Sequence, residues 1–133
     1  MKRSIRSMAL AMTAVFFLGS MAEAHLRVEN THLKLTVSDK TIKKGTEVHF
    51  KGVLSSAWDK CYASRPVKLI RNGVVRRSKK TNADGIVKFS WHLRATGLWQ
   101  LKFKGRRWGP HPAARHVCKP SQSNVVKITV TNP

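Results

Sequence analysis

The sequence predicts an all-β Greek-key sandwich of seven strands closed by one disulfide. Three observations carry this expectation. Short runs alternate apolar with polar residues, and a period of two marks a strand with one buried face. Clusters of Gly, Asn, Asp and Thr separate these runs at close intervals, as turns do. No stretch after residue 25 carries apolar residues at helical spacing, and about 100 residues of such material bury their faces best as two packed sheets.

The strands are justified in order. Leu33, Leu35 and Val37 alternate with polar residues in the first, and Ile42-Lys43-Lys44-Gly45 marks the turn after it. Val48, Phe50 and Val53 make the second, where Gly52 marks a bulge. Pro66 to Ile70 is the third; Asn72-Gly73, a strong signal for a two-residue hairpin, leads into the fourth, Val74 to Lys80. Thr81-Asn82-Ala83-Asp84-Gly85 is a second tight turn. In the fifth strand Val87, Phe89, Trp91 and Leu93 share one face, and Lys88, Ser90 and His92 the other. Trp99, Leu101 and Phe103 make the sixth; Val126, Ile128 and Val130 make the seventh. Trp91 and Trp99 are the large core fillers. The stretch GRRWGPHPAARHVCKPS between the last two strands reads as an irregular connection, stiffened by Pro110, Pro112 and Pro120.

The opening residues MKRSIRSMALAMTAVFFLGSMAEA read as a secretory signal: Lys2, Arg3 and Arg6, then an apolar run from Met8 to Gly19, then Ala22-Glu23-Ala24. The run is shorter than the roughly 20 residues of a spanning helix. The expected organisation is a signal peptide over 1–24 and one sandwich domain over 25–133, secreted or held at the cell envelope with no transmembrane segment after cleavage. Cleavage after Ala22 is also chemically allowed. The full chain has 26 Lys and Arg against six acids, a formal charge of +20; losing residues 1–24 removes three cations and one acid and leaves +18. Such a field attracts polyanions in a salt-dependent way. Export and an even cysteine count predict a Cys61–Cys118 bridge. Strand parity agrees, because the connections 54–65, 81–85 and 105–123 fall at one end of a sandwich whose strands reverse in turn.

Leu33-Lys34-Leu35-Thr36-Val37-Ser38, Ile42-Lys43-Lys44-Gly45-Thr46-Glu47-Val48, Arg65-Pro66-Val67-Lys68-Leu69, Thr81-Asn82-Ala83-Asp84-Gly85 and the closing Cys118, Ser121 and Ser123 form a pattern. It resembles the bacterial secreted immunoglobulin-like, or prealbumin-like, β-sandwich modules, over Leu33 to Val130. The resemblance implies an immunoglobulin-like fold and an adhesive or spacer role at a cell surface. Its motifs are turns and core positions, so they specify fold more than activity.

The shared loop end is the candidate ligand site. Arg106, Arg107, Trp108, Arg115 and Lys119 lie in one connection, with Lys79 and Lys80 beside the next; Trp58, Lys60 and Arg65 lie in the third. Cations there take phosphate, sulfate or carboxylate, and tryptophan stacks on a ring face. The expected partner is an anionic polymer or cell-envelope component, with nonspecific nucleic-acid binding as a form of the same chemistry. Arg76, Arg77, Lys102 and Lys104 read as protection of exposed strand edges. A second reading is a structural or adhesive module without a specific ligand. A third is copper binding: a mature chain beginning at His25 offers its amine and imidazole to Cu(II), with His32, His49, His92, His111 or His116 as further donor. Otherwise no cofactor is expected. The mature acids Glu29, Asp39, Glu47, Asp59 and Asp84 form no carboxylate pair, and hydrolase and metalloprotease motifs are absent, so the sequence reads as a binding protein and not an enzyme.

Overall fold

A computed structural model describes residues 26–109 and 116–132. Its strands are β1 (Arg27–Glu29), β2 (Thr31–Val37), β3 (Thr41–Lys43), β4 (Glu47–Ser56), β5 (Pro66–Arg71), β6 (Val74–Lys80), β7 (Ile86–His92), β8 (Gly97–Phe103), β9 (Arg106–Trp108), β10 (His116–Cys118), β11 (Ser121–Gln122) and β12 (Val126–Thr131). One 3₁₀ turn covers Asp59–Cys61. The described chain divides into two compact units. One holds residues 29–106 and 118–132; the other holds residues 26–28, 107–109 and 116–117.

The larger unit is the sandwich. One sheet runs β2-β4-β7 and the other β3-β12-β8-β5-β6, with β11 paired to β8. Among the seven main strands the chain changes sheet between β4 and β5, between β6 and β7 and between β7 and β8, which is the Greek-key, immunoglobulin-like route. The seven predicted strands are β2, β4, β5, β6, β7, β8 and β12. Alternation places most inward residues as expected, but on β4, which runs on to Ser56, Leu54 is buried in place of Val53. Leu33, Leu35, Val48, Phe50, Leu54, Val87 and Phe89 from one sheet meet Val67, Leu69, Trp99, Leu101, Phe103, Val126 and Ile128 from the other. Trp99 is the centrepiece, 1% exposed, its ring 4.7 Å from that of Phe50 across the core.

Four further expectations change. Ile42 belongs to a strand, since β3 pairs parallel with β12 (Val130 opposite Ile42) and the turn starts only at Lys44. Gly52 marks no bulge: β4 keeps unbroken register through it, opposite Leu35 on β2 and Val87 on β7. A Cβ there would stand 2.5 Å from Leu101 Cδ1 and 2.8 Å from Val87 Cγ1, so the glycine makes room for the facing sheet. Gly52→Ala is expected to cost about 1–3 kcal/mol by overpacking, read as a lower denaturation midpoint. The irregularity lies elsewhere: Leu69 pairs with Arg77 but Ile70 with Val75, so Arg76 is an extra residue in β6. Trp91 is no central filler, because it sits half-buried on the edge strand β7. Finally, the stretch after Gly105 is not wholly irregular, since β9 and β10 form a small sheet with β1, in the order β1-β10-β9.

The Asn72-Gly73 turn is as predicted. Both residues have positive φ, 49° and 81°, which is the type I′ geometry matching the twist of the flanking strands.

Candidate functional site

The parts of the three connections named from parity that belong to the larger unit meet at one pole of the sandwich. Cys61, at the end of the 3₁₀ turn, is bonded to Cys118, with the Cα atoms 5.5 Å apart, and both are buried. Thr81, which opens the β6–β7 turn, donates its amide to the Arg65 carbonyl (2.9 Å), and its hydroxyl accepts from the Arg65 amide and donates to the Tyr62 carbonyl. The Asn82 side chain accepts from the Asp84 and Ile86 amides, which closes the turn. Gly85 has φ +80°, and a Cβ there would run into the Leu54 carbonyl and Tyr62. Gly105 is pressed against Cys118 and Pro120 in the same way. Thr31 ties the Lys119 carbonyl and the Ser121 hydroxyl to the end of β2.

The cations of the larger unit at this pole are Lys60, Arg65, Arg106 and Lys119, and its connections also carry the carboxylates of Asp59 and Asp84. Lys60, Arg106 and Lys119 are exposed and Arg65 is half-buried. Arg65 Nε donates to the Ala63 carbonyl at 3.0 Å. Burial, and then the like charge of Arg106, lower the Arg65 pKa from its ordinary value. An arginine remains charged at any physiological pH, so the lowered value leaves the charge of this pole unchanged. Lys60 Nζ lies 5.6 Å from the centre of the Trp58 ring, within cation–π range.

The remaining predicted residues are distributed as follows. Lys79 and Lys80 lie on β6, opposite Val67 and Pro66 on β5. Arg107 and Trp108 lie on β9 in the smaller unit, where the Trp108 ring is 6.1 Å from that of His116. The signal segment 1–24, His25, Pro110, His111, Pro112 and Arg115 lie outside the described residues.

Three features escaped sequence reasoning. Lys51 and Lys88 stand directly opposite each other across β4 and β7, and Lys68 and Lys102 across β5 and β8. Like charges so placed oppose folding. The Glu47 carboxylate is shared by two imidazoles, with Oε1 3.2 Å from His49 Nε2 and Oε2 3.2 Å from His92 Nε2. The spacing of Glu47 and His49 puts both on one face, but His92 joins them only through strand pairing. Third, Arg77 and Arg76 lie 4.3 and 6.0 Å from the centre of the Trp91 ring. Among the described residues no group of three or more His, Cys, Asp or Glu is placed to hold a metal ion, and no helix is long and apolar enough to cross a membrane.

No family model and no curated protein matches the chain. Among solved structures it is similar to the solution NMR structure of the CARDB domain of a Pyrococcus furiosus protein, with a TM-score of 0.53 and 9% identity. The match covers 79% of this chain and 97% of that one. At that identity the likeness concerns the fold, a β-sandwich.

Proposed function

We propose that this protein is an exported, strongly basic binding module for anionic surface polymers, acting without catalysis, and that the disulfide-clamped pole is a contact surface. The observation that carries this reading is the clamped pole itself: a disulfide and several hydrogen bonds hold the exposed cations Lys60, Arg106 and Lys119 on joined connections. A phosphate, sulfate or carboxylate placed among such cations gains charge-assisted hydrogen bonds. A cross-linked pole also loses little entropy when a ligand orders it. The opposed lysine pairs support the same reading, since they too hold positive charge where folding alone would separate it.

The test is titration of the full chain with heparin at several salt concentrations. Arg106→Ser with Lys119→Ser is expected to weaken binding several-fold and to flatten the dependence of log K on log salt by roughly one. Lys40→Ser with Lys127→Ser removes equal charge from the β3–β12 side. Equal losses from both pairs would mean that only net charge matters, and would leave the pole without a role.

A further inference from the structure

The side of the sandwich away from β3 carries a second arrangement. β6 ends one sheet and β7 ends the other. Residues directly opposite in a ladder share a face. Val67 and Leu69 face the core, so their partners Lys79 and Arg77 project from the inner face of β6. Yet every residue of β6 is exposed. The inner face of this last strand is therefore uncovered, and a trough runs between it and the edge of β7. One stretch of about 450 Å³ is lined by Arg77, Ser78, Lys79, Lys88, Phe89 and Ser90. It continues past Lys80 and Asn82. Among the described residues no carboxylate lines either stretch.

The cations in this trough are positioned. The extra residue in β6 sets Arg76 and Arg77 side by side where a regular strand would turn them to opposite faces, and both guanidiniums lie within 6.0 Å of the Trp91 ring centre. A guanidinium resting on an aromatic face keeps its in-plane N–H donors free, and these match phosphate oxygens as a fork. The Lys79 ammonium is drawn across to β7, donating to the Lys88 carbonyl at 3.0 Å, with two more donors to give. With Arg77 over its ring, Trp91 supports charge recognition and offers little face for base stacking.

We infer that the β6–β7 trough is a track for an extended phosphate-bearing polymer, gripped by Arg76, Arg77 and Lys79 and recognised by its charge. This rests on the reading that the chain binds anionic polymers, and it extends that binding from the pole along β6 and β7. Each phosphate of such a polymer turns two charged, non-bridging oxygens outward, and successive phosphates supply acceptors for two adjacent guanidiniums and an ammonium.

The experiment titrates the full chain with linear polyphosphate and with single-stranded oligothymidylate of equal phosphate number. Both are expected to bind with similar affinity. Arg76→Ser, Arg77→Ser and Lys79→Ser together should weaken both about tenfold and flatten the salt slope by roughly two. Lys40→Ser, Lys43→Ser and Lys127→Ser, at the opposite edge of the sheet, should change binding less than about threefold. The folded charge-preserving variant Arg76→Lys with Arg77→Lys should lose part of the affinity, because a point charge replaces a fork. Equal losses from the two triple variants would overturn the track, as would unchanged binding in the folded groove variant. Strong preference for oligothymidylate would overturn recognition by charge. Failure of the unaltered chain to bind either polymer would instead remove the wider proposal of polyanion binding.

Discussion

Replacing Cys61 and Cys118 together by serine, or reducing their bond, is expected to cost about 4 kcal/mol of stability on the chain-entropy account of a cross-link. The bond joins residues 57 apart in sequence, so the unfolded chain regains a large loop when it is cut. For a domain of this size that corresponds to a fall in melting temperature of roughly 15–25 °C. Calorimetry with and without reductant reads it directly. The effect should extend to the pole. The 3₁₀ turn would still be tied to the β6–β7 turn through Thr81, Arg65 and Tyr62. Lys119 and the chain around it would keep their hydrogen bonds to residues 29–31 and the pairing of β11 with β8. Heparin affinity measured below the new melting point is therefore expected to fall along with stability. A loss of stability under about 1 kcal/mol would show that the hydrogen bonds alone hold the three connections together.

Trp99→Ala is the other large effect, expected at about 3–5 kcal/mol. The side chain is almost wholly buried and contacts aromatic groups on both sides: Phe50 at 4.7 Å and Trp91 at 5.8 Å, with the Arg71 guanidinium 5.8 Å from its ring. Its removal leaves a cavity between two sheets that the remaining ladders prevent from closing. Trp99→Phe separates packing from polarity. The buried Nε1 finds no acceptor among the described residues, and an unmet donor of this kind costs about 1–3 kcal/mol. Phenylalanine removes that donor along with part of the ring, so most of the loss should be recovered. Urea denaturation of the three proteins decides the matter: a phenylalanine variant as weak as the alanine one would refute the account of the core.

The strands were legible because each announces itself locally. Leu33-Lys34-Leu35 and Trp99-Gln100-Leu101 alternate whatever they pack against, and Asn72-Gly73 can hardly be anything but a tight turn. The pole was legible for a different reason: reversal of direction from strand to strand is simple counting, and two cysteines have only one way to pair. The charge at the pole could likewise be read from Arg65, Arg106 and Lys119. The short strands β9 and β10 were not legible, because three residues are too few to show a period. Gly52 was misread since glycine in a strand signals either a bulge or a close neighbour, and the neighbour, Leu101, comes from the other sheet.

What the sequence by itself determined was the set of main strands, the pairing of the cysteines and the overwhelming positive charge, because periodicity, parity and composition need no third dimension. Tertiary structure alone decided that Trp91 sits at an edge beneath Arg77, that Arg76 and Arg77 share a face, that His92 joins Glu47 and His49, and that the inner side of β6 is uncovered. Each of these depends on which strand ends a sheet and on register between strands, and those are settled by how two whole sheets fit together.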